Sequence, residues 1–159
     1  MPVYDIDCTD LSGKPLPLKQ FAGKPLLIVN TASLCGFSSQ FRGLEQIWQD
    51  HKNTGLTVIG VPSNDFGHQE PGQSRALATL CLEKFGVTFP LLEKTPVKGA
   101  EAHPLFRWLA NEGGFWARPR WNFYKYLISR EGRLKAWYSS LTAPETNRFQ
   151  KAVTGLLGN

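Results

Sequence analysis

The chain lacks any long hydrophobic run: nowhere do about 18 or more apolar residues follow one another, the length that a membrane-spanning helix needs. Residues 1–5 also lack the basic patch and apolar stretch of a secretory leader. The three cysteines are an odd number with no close pair, unlike the dense and even set of a small secreted domain. We therefore expect a cytoplasmic protein with no membrane span, in which any disulfide is transient.

Clustered charge and ligand patterns are missing too. The net charge is +5, but the basic residues are scattered along the chain rather than gathered in a block, so we expect a solvated basic surface and no nucleic-acid partner. The three histidines have no metal-ligand spacing among themselves or with the cysteines. The glycine-bearing segments 67–72 and 113–114 form no phosphate-binding or dinucleotide pattern. We expect neither a metal nor a nucleotide cofactor.

The hydrophobic pattern alternates between the periods of strands and helices, over a length that suits one compact domain at residues 1–159. The predicted elements are an N-terminal β-hairpin at 4–15, a strand at 25–29, a helix from 38, a strand at 56–61, a helix at 74–85, a short strand at 87–91, a short helix at 105–109, strands at 123–128 and 134–138, and a terminal helix from 144. This order predicts an α/β protein with a thioredoxin-like fold, in which helices flank a central mixed sheet.

Cys35 follows the first predicted buried strand and lies just before a predicted helix. Unpaired N–H groups and the positive end of the helix dipole then face its sulfur, which favours the nucleophilic thiolate. A buried structural thiol is the alternative. Thioredoxin-like proteins can carry a Cys-x-x-Cys pair at this corner, but here Ser38 takes the second cysteine's place. The missing second cysteine argues against a dithiol oxidoreductase. Two kinds of protein remain possible, a peroxidase or a monothiol glutaredoxin-like protein.

Three segments of the chain resemble the signature blocks of glutathione peroxidases, in the order that the family has them. They are NTASLCGFS at 30–38, PSNDFGHQEPG at 62–72 and WNFYKYLI at 121–128, with GVTFP at 86–90 between the second and third. The blocks are spread over most of the chain, so chance agreement is a poor explanation. The resemblance implies a peroxidase with a thioredoxin-like fold.

The resemblance also implies a catalytic tetrad, which falls here on Cys35, Gln69, Trp121 and Asn122. Attack of a thiolate on a peroxide develops negative charge on the departing oxygen, and preorganised neutral donors stabilise that charge. The two amides and the indole N–H are such donors. Taken alone, a loop glutamine and a core tryptophan would indicate nothing, so the assignment depends on their occurring with Cys35 in the family blocks.

A second thiol is needed to resolve the sulfenic acid that Cys35 would form. The resemblance implies that this is Cys81, the resolving position of members that thioredoxin recycles through an internal disulfide. Cys81 also lies on an apolar helical stripe, so a structural thiol is the alternative. We expect the reduced protein to hold Cys81 too far from Cys35 for a bond, with a mobile helix from Ser74 that unwinds. Cys8 is interpreted as a structural thiol.

The chain departs from the family pattern in two places. Ser63 and Asp65 stand where many members have a cysteine and a glutamine, so no thiol is available at position 63. The stretch between Leu109 and Trp121 is short and lacks the insertion of tetrameric, glutathione-using members. We therefore expect thioredoxin rather than glutathione as reductant, and a monomer or weak homodimer.

These observations predict a peroxidase that reduces hydrogen peroxide and organic hydroperoxides through a sulfenic acid at Cys35 and an internal disulfide with Cys81. The alternative is a peroxide-sensing relay that passes its disulfide to a partner protein. The scattered basic surface would help to dock an acidic reductant protein. Arg118 and Arg120, just before Trp121, either raise the positive potential there or belong to an ordinary exposed loop.

Overall fold

The computed structural model describes residues 1–68, residue 70 and residues 74–158. Its strands and helices are, in chain order, β1 Leu26–Thr31, α1 Gln40–His51, β2 Thr57–Pro62, α2 Ser74–Phe85, α3 Pro104–Gly113, β3 Lys125–Ile128, β4 Leu134–Tyr138 and α4 Asn147–Leu157. Short 3-10 helices cover Val3–Asp5, Leu18–Phe21, Lys52–Thr54 and Phe115–Ala117. None of the described helices has the length and apolar character that a membrane crossing requires.

The sheet has the strand order β2-β1-β3-β4 and is mixed, as predicted. β1 and β2 run parallel from Leu26↔Thr57 to Thr31↔Pro62, whereas β3 is antiparallel to β1, with Lys125 opposite Val29. The carboxyl ends of β1 and β2 therefore lie at the same sheet edge as the start of β3. This edge brings together the segments that follow β1 and β2 and the segment that precedes β3, which carry the three signature blocks.

Helices cover both faces of this sheet because β1 is apolar on both. Leu26 and Ile28 pack into one buried cluster together with α3 and the N-terminal segment. Leu27 and Val29 pack into the other, together with side chains from α1, α2 and α4. Every residue of β1 and β2 is buried, which explains their continuous apolar runs. The predicted α/β arrangement, with helices flanking a central sheet, is confirmed.

Three predicted elements differ in detail. The N-terminal hairpin is reduced to the bridge Thr9↔Pro15, because residues 3–5 form a 3-10 turn instead of a strand. The chain reverses direction after Asp10, whose carboxylate accepts the N–H groups of Ser12 and Lys14. The strand at 87–91 is represented only by isolated bridges, since Pro90 has no N–H to donate to a ladder. The terminal helix begins at Asn147 rather than at 144. Its N-cap is Thr146, whose hydroxyl accepts the Phe149 N–H from the first turn.

Candidate active site

Cys35 lies in the turn between β1 and α1, with 3% of its surface exposed. The Phe37 N–H donates to its Sγ at 3.4 Å, and the Ser38 N–H donates to its carbonyl at 2.9 Å. Cys35 therefore precedes a helix as predicted, but α1 itself begins only at Gln40. Within the described residues, the donor to the sulfur is this turn amide rather than an N–H group of the helix.

Trp121 and Asn122 are held beside this turn by Asn30, which is fully buried near the end of β1. The Asn30 Nδ2 donates to the Trp121 carbonyl at 2.9 Å, and its Oδ1 accepts the Tyr124 N–H at 3.0 Å. The Asn30 carbonyl also accepts the Phe123 N–H at 2.7 Å. One residue thus ties the strand that leads to Cys35 to the segment that carries two of the predicted donors.

Neither Trp121 nor Asn122 hydrogen-bonds Cys35 among the described residues. Trp121 is partly buried, packs against the core cluster that contains Cys35, and lies with its ring 5.9 Å from that of Phe66. Its indole N–H has no acceptor among the described residues. Asn122 is fully buried, and its Nδ2 donates to the Phe66 carbonyl at 3.4 Å. Gln69, the third predicted donor, lies outside the described residues.

Glu70 ties the loop after β2 to the Cys35 turn. It is 1% exposed, and its carboxylate accepts both the Ser33 N–H, at 2.9 Å, and the Ser33 hydroxyl. Its own N–H donates to Asn64 Oδ1 at 3.0 Å. Burial raises the pKa of this carboxyl, against the opposing effect of the two Ser33 hydrogen bonds. Asn30, Ser33 and Glu70 lie within the signature blocks, but nothing in the sequence alone indicates that they form this scaffold.

The other cysteines lie in different surroundings, and all three are free thiols. Cys81 is on the buried face of α2, in the same core cluster as Cys35. Burial, followed by the charge of Glu70, raises its pKa to about 12. Cys8 belongs to the cluster on the opposite face of the sheet, where burial, followed by the charge of Asp7, raises its pKa to about 12. The sheet therefore separates Cys8 from Cys35.

A basic cavity of about 490 Å³ adjoins the Trp121 segment. Four exposed cations line it, namely Lys98, Arg107, Arg118 and Arg120, together with Phe66, whose ring lies near that of Trp121. Arg118 and Arg120 are thus exposed cavity-lining residues, which fits both of the interpretations given for them. No group of three or more His, Cys, Asp or Glu side chains in the described ranges is arranged to hold a metal ion.

The comparisons with known proteins agree with this geometry. The family model described as glutathione peroxidase matches residues 3–110. The glutathione peroxidase-like peroxiredoxin GPX5 of Chlamydomonas reinhardtii is 43% identical over 143 residues, which cover 89% of this chain and 88% of that protein. The hydroperoxy fatty acid reductase gpx1 of Synechocystis is 42% identical over 151 residues, with coverages of 90% and 89%.

Solved structures place the fold as well. The structure of Trgpx in its apo form aligns over 100% of this chain and 97% of that chain, with a TM-score of 0.80 and 33% identity. A thioredoxin family protein from Chlorobium tepidum aligns over 99% and 97%, with a TM-score of 0.72 at 17% identity, which confirms the thioredoxin-like fold and nothing more. This chain therefore belongs to the glutathione peroxidase family and is a peroxidase, an oxidoreductase whose acceptor is a hydroperoxide.

Proposed function

We propose that this peroxidase works through a two-thiol cycle, with Cys35 as nucleophile and Cys81 as resolving thiol. The Cys35 thiolate attacks one peroxide oxygen, the O–O bond breaks, and the other oxygen takes a proton and leaves as water or an alcohol. The Cys81 thiolate then attacks the sulfenic acid, and the hydroxyl leaves as water with a proton. A dithiol reductant reduces the resulting disulfide and restores both thiols.

The observation that supports this proposal most strongly is the place of Cys35 at the meeting point of three segments. Its sulfur accepts the Phe37 N–H, and the loops on both sides are fixed by buried hydrogen bonds to Asn30 and Ser33. A thiol in a rigid scaffold, with its sulfur already held by a hydrogen bond, is preorganised to attack a bound peroxide.

Trp121 and Asn122, with Gln69, are proposed to donate to the peroxide oxygens rather than to the resting thiol. The Trp121 indole N–H has no acceptor in the described part of the chain, so it is available to a bound substrate. Catalytic hydrogen bonds often tighten only when the substrate arrives. All three donors are neutral, so they stabilise the developing charge without forming an ion pair with the thiolate.

Resolution by Cys81 requires a change in its surroundings. With a pKa of about 12, this buried thiol is protonated at neutral pH and is a poor nucleophile. Rearrangement of α2 after Cys35 is oxidised would move Cys81 out of the core and away from the charge of Glu70. Both changes lower its pKa and free it to attack.

The proposed reductant is a thioredoxin-type dithiol protein, and the proposed setting is a reducing cytoplasm in which three free thiols persist. α3 and β3 are separated only by residues 114–124, without the insertion of tetrameric, glutathione-using members. We also propose a monomer or weak homodimer.

Because one relative is named a hydroperoxy fatty acid reductase, fatty-acid hydroperoxides join hydrogen peroxide as proposed substrates.

Steady-state peroxide consumption tests this cycle, with thioredoxin, thioredoxin reductase and NADPH in one assay and glutathione with glutathione reductase in another. The proposal predicts sustained turnover with thioredoxin, loss of turnover in Cys35→Ser and Cys81→Ser, and no effect of Cys8→Ala. A single burst without turnover would indicate the peroxide-sensing relay instead. Faster turnover with glutathione would contradict the proposed reductant.

A further inference from the structure

A buried lysine lies behind the Trp121–Asn122 segment. Lys125, the first residue of β3, has no exposed surface. Its Nζ donates to Gln40 Oε1 at 2.7 Å and to the Phe123 carbonyl at 2.7 Å. Burying an amine is costly, and an apolar side chain would fill the same space at lower cost. The amine therefore needs an explanation beyond packing.

The hydrogen bonds of this lysine belong to a closed ring. Gln40 Nε2 donates to the Ser140 carbonyl at 2.7 Å, and the Ser140 hydroxyl donates to the Asn122 carbonyl. The backbone continues from Asn122 to Phe123, whose carbonyl accepts from Lys125 and so closes the ring. No member is more than 6% exposed. The ring thus includes the main chain of a proposed catalytic donor.

The ring also holds an unfavourable backbone conformation. Phe123 has a φ of 62°, in the left-handed region that a bulky residue rarely adopts. The bonds from Lys125 to its carbonyl and from its N–H to Asn30 fix that conformation on both sides. Without them, Phe123 is expected to relax toward an ordinary conformation, and the Asn122 amide would turn with it.

The same ring reaches the other half of the site. Gln40 is the first residue of α1, and its N–H donates to the Phe37 carbonyl at 2.9 Å. Phe37 in turn supplies the N–H that donates to Cys35 Sγ. The ring therefore sets the distance between the turn that holds the sulfur and the segment that holds Asn122.

We propose that Lys125 is a positioning residue for peroxide reduction, which acts through Gln40, Ser140 and Phe123 to hold Asn122 at its working distance from the Cys35 sulfur. This inference depends on the proposed roles of Cys35 and Asn122. It assigns Lys125 no contact with the substrate.

The charge of the amine is not what this role requires. Burial lowers the pKa of Lys125 to about 7, while the Glu145 carboxylate is the charged group that opposes this shift. A neutral amine retains two N–H donors, enough for the two acceptors that it contacts. Positioning by Lys125 is therefore expected to operate both below and above pH 7.

The test compares two reactions of Cys35 in Lys125→Met. Oxidation by hydrogen peroxide needs the donors in place, whereas alkylation by iodoacetamide needs only an accessible thiolate. We expect the second-order rate constant for oxidation to fall about 10-fold to 100-fold, because displacing one oxyanion donor should cost less than removing it, which slows a reaction about 100-fold to 1000-fold. The alkylation rate of the Cys35 peptide, followed by mass spectrometry, should stay close to that of the wild type. Lys135→Met, at an exposed lysine of β4, is the control.

A milder variant covers the case in which Lys125→Met does not fold. Ser140→Ala removes the hydroxyl that donates to Asn122 and leaves the bond between Lys125 and Gln40 in place. It should slow oxidation about 3-fold to 10-fold, since a typical hydrogen bond contributes roughly 1 kcal/mol, without slowing alkylation. Ser140→Thr, which keeps the hydroxyl, should restore the rate.

Several results would overturn the inference. Folded Lys125→Met and Ser140→Ala with unchanged oxidation rates would show that the ring does not position the donors. An equal fall in oxidation and alkylation would indicate a general structural role. A defect in Lys125→Met that disappears above pH 7 would assign the effect to the charge. Oxidation that persists in Cys35→Ser would refute the proposed function itself, whatever the ring variants show.

Discussion

The Asn30→Ala substitution offers a direct way to measure how far the site depends on its scaffold. Asn30 is fully buried, and its side chain bonds the Trp121 carbonyl and the Tyr124 N–H. Alanine leaves both backbone groups without these partners in a buried place. Each such group costs about 1–3 kcal/mol, so the free energy of unfolding should fall by about 2–6 kcal/mol. A domain in the upper part of the ordinary range of about 5–15 kcal/mol would remain mostly folded.

Activity should suffer more than stability in this variant. Release of the Trp121 carbonyl lets the donor segment shift, and a displacement of about 1 Å can cost roughly 100-fold in rate. Urea unfolding followed by tryptophan fluorescence measures the first effect, and peroxidase turnover of the folded protein measures the second. Asn111→Ala, at an exposed position of α3, is the matched control and should change stability by less than about 0.5 kcal/mol. A loss below about 1 kcal/mol with full activity in Asn30→Ala would refute the reasoning.

Two further predictions concern the dependence of stability on pH. The pKa of Lys125 is about 7 in the folded protein, below its ordinary 10.5, so between these values the unfolded chain binds more protons and stability rises with pH. The free energy of unfolding, measured with urea, should rise by about 1.5 kcal/mol from pH 7 to 8.5. Lys125→Met should abolish this rise, and the control Lys135→Met should retain it. An equal rise in Lys125→Met would contradict the assignment. The pKa of Cys8 is about 12, above its ordinary 9.0, so its contribution to stability is lost as pH rises above about 9. The decline measured between pH 9 and 10.5 should be shallower in Cys8→Ala, and an unchanged slope would show that the thiol is not the titrating group.

The sequence predicted the parts of this molecule that depend on local pattern. The apolar runs marked β1 and β2 because both strands are buried on both faces. The stripe through Leu77 and Cys81 located α2 at residues 74–85, the bounds that the structure has. The position of Cys35 between a buried strand and a helix also followed from local pattern.

The scaffold of the site could not be predicted, because it depends on contacts between distant residues. Asn30 contacts residue 121, 91 positions away, and this pairing follows from the antiparallel register of β1 and β3. A lysine in a strand ordinarily indicates an exposed position, yet Lys125 is buried because Gln40, 85 positions away, supplies an acceptor. Asparagine, glutamine and lysine are also common surface residues, so their identity gave no signal.

Thiol counting after one equivalent of hydrogen peroxide tests the central claim, that Cys35 is the residue that peroxide oxidises. The proposed cycle predicts the loss of two thiols in the wild type, no loss in Cys35→Ser, and a persistent sulfenic acid in Cys81→Ser. Loss of two thiols in Cys35→Ser would contradict the claim outright. The same loss in Cys81→Ser would assign resolution to Cys8, across the sheet, or to a second molecule.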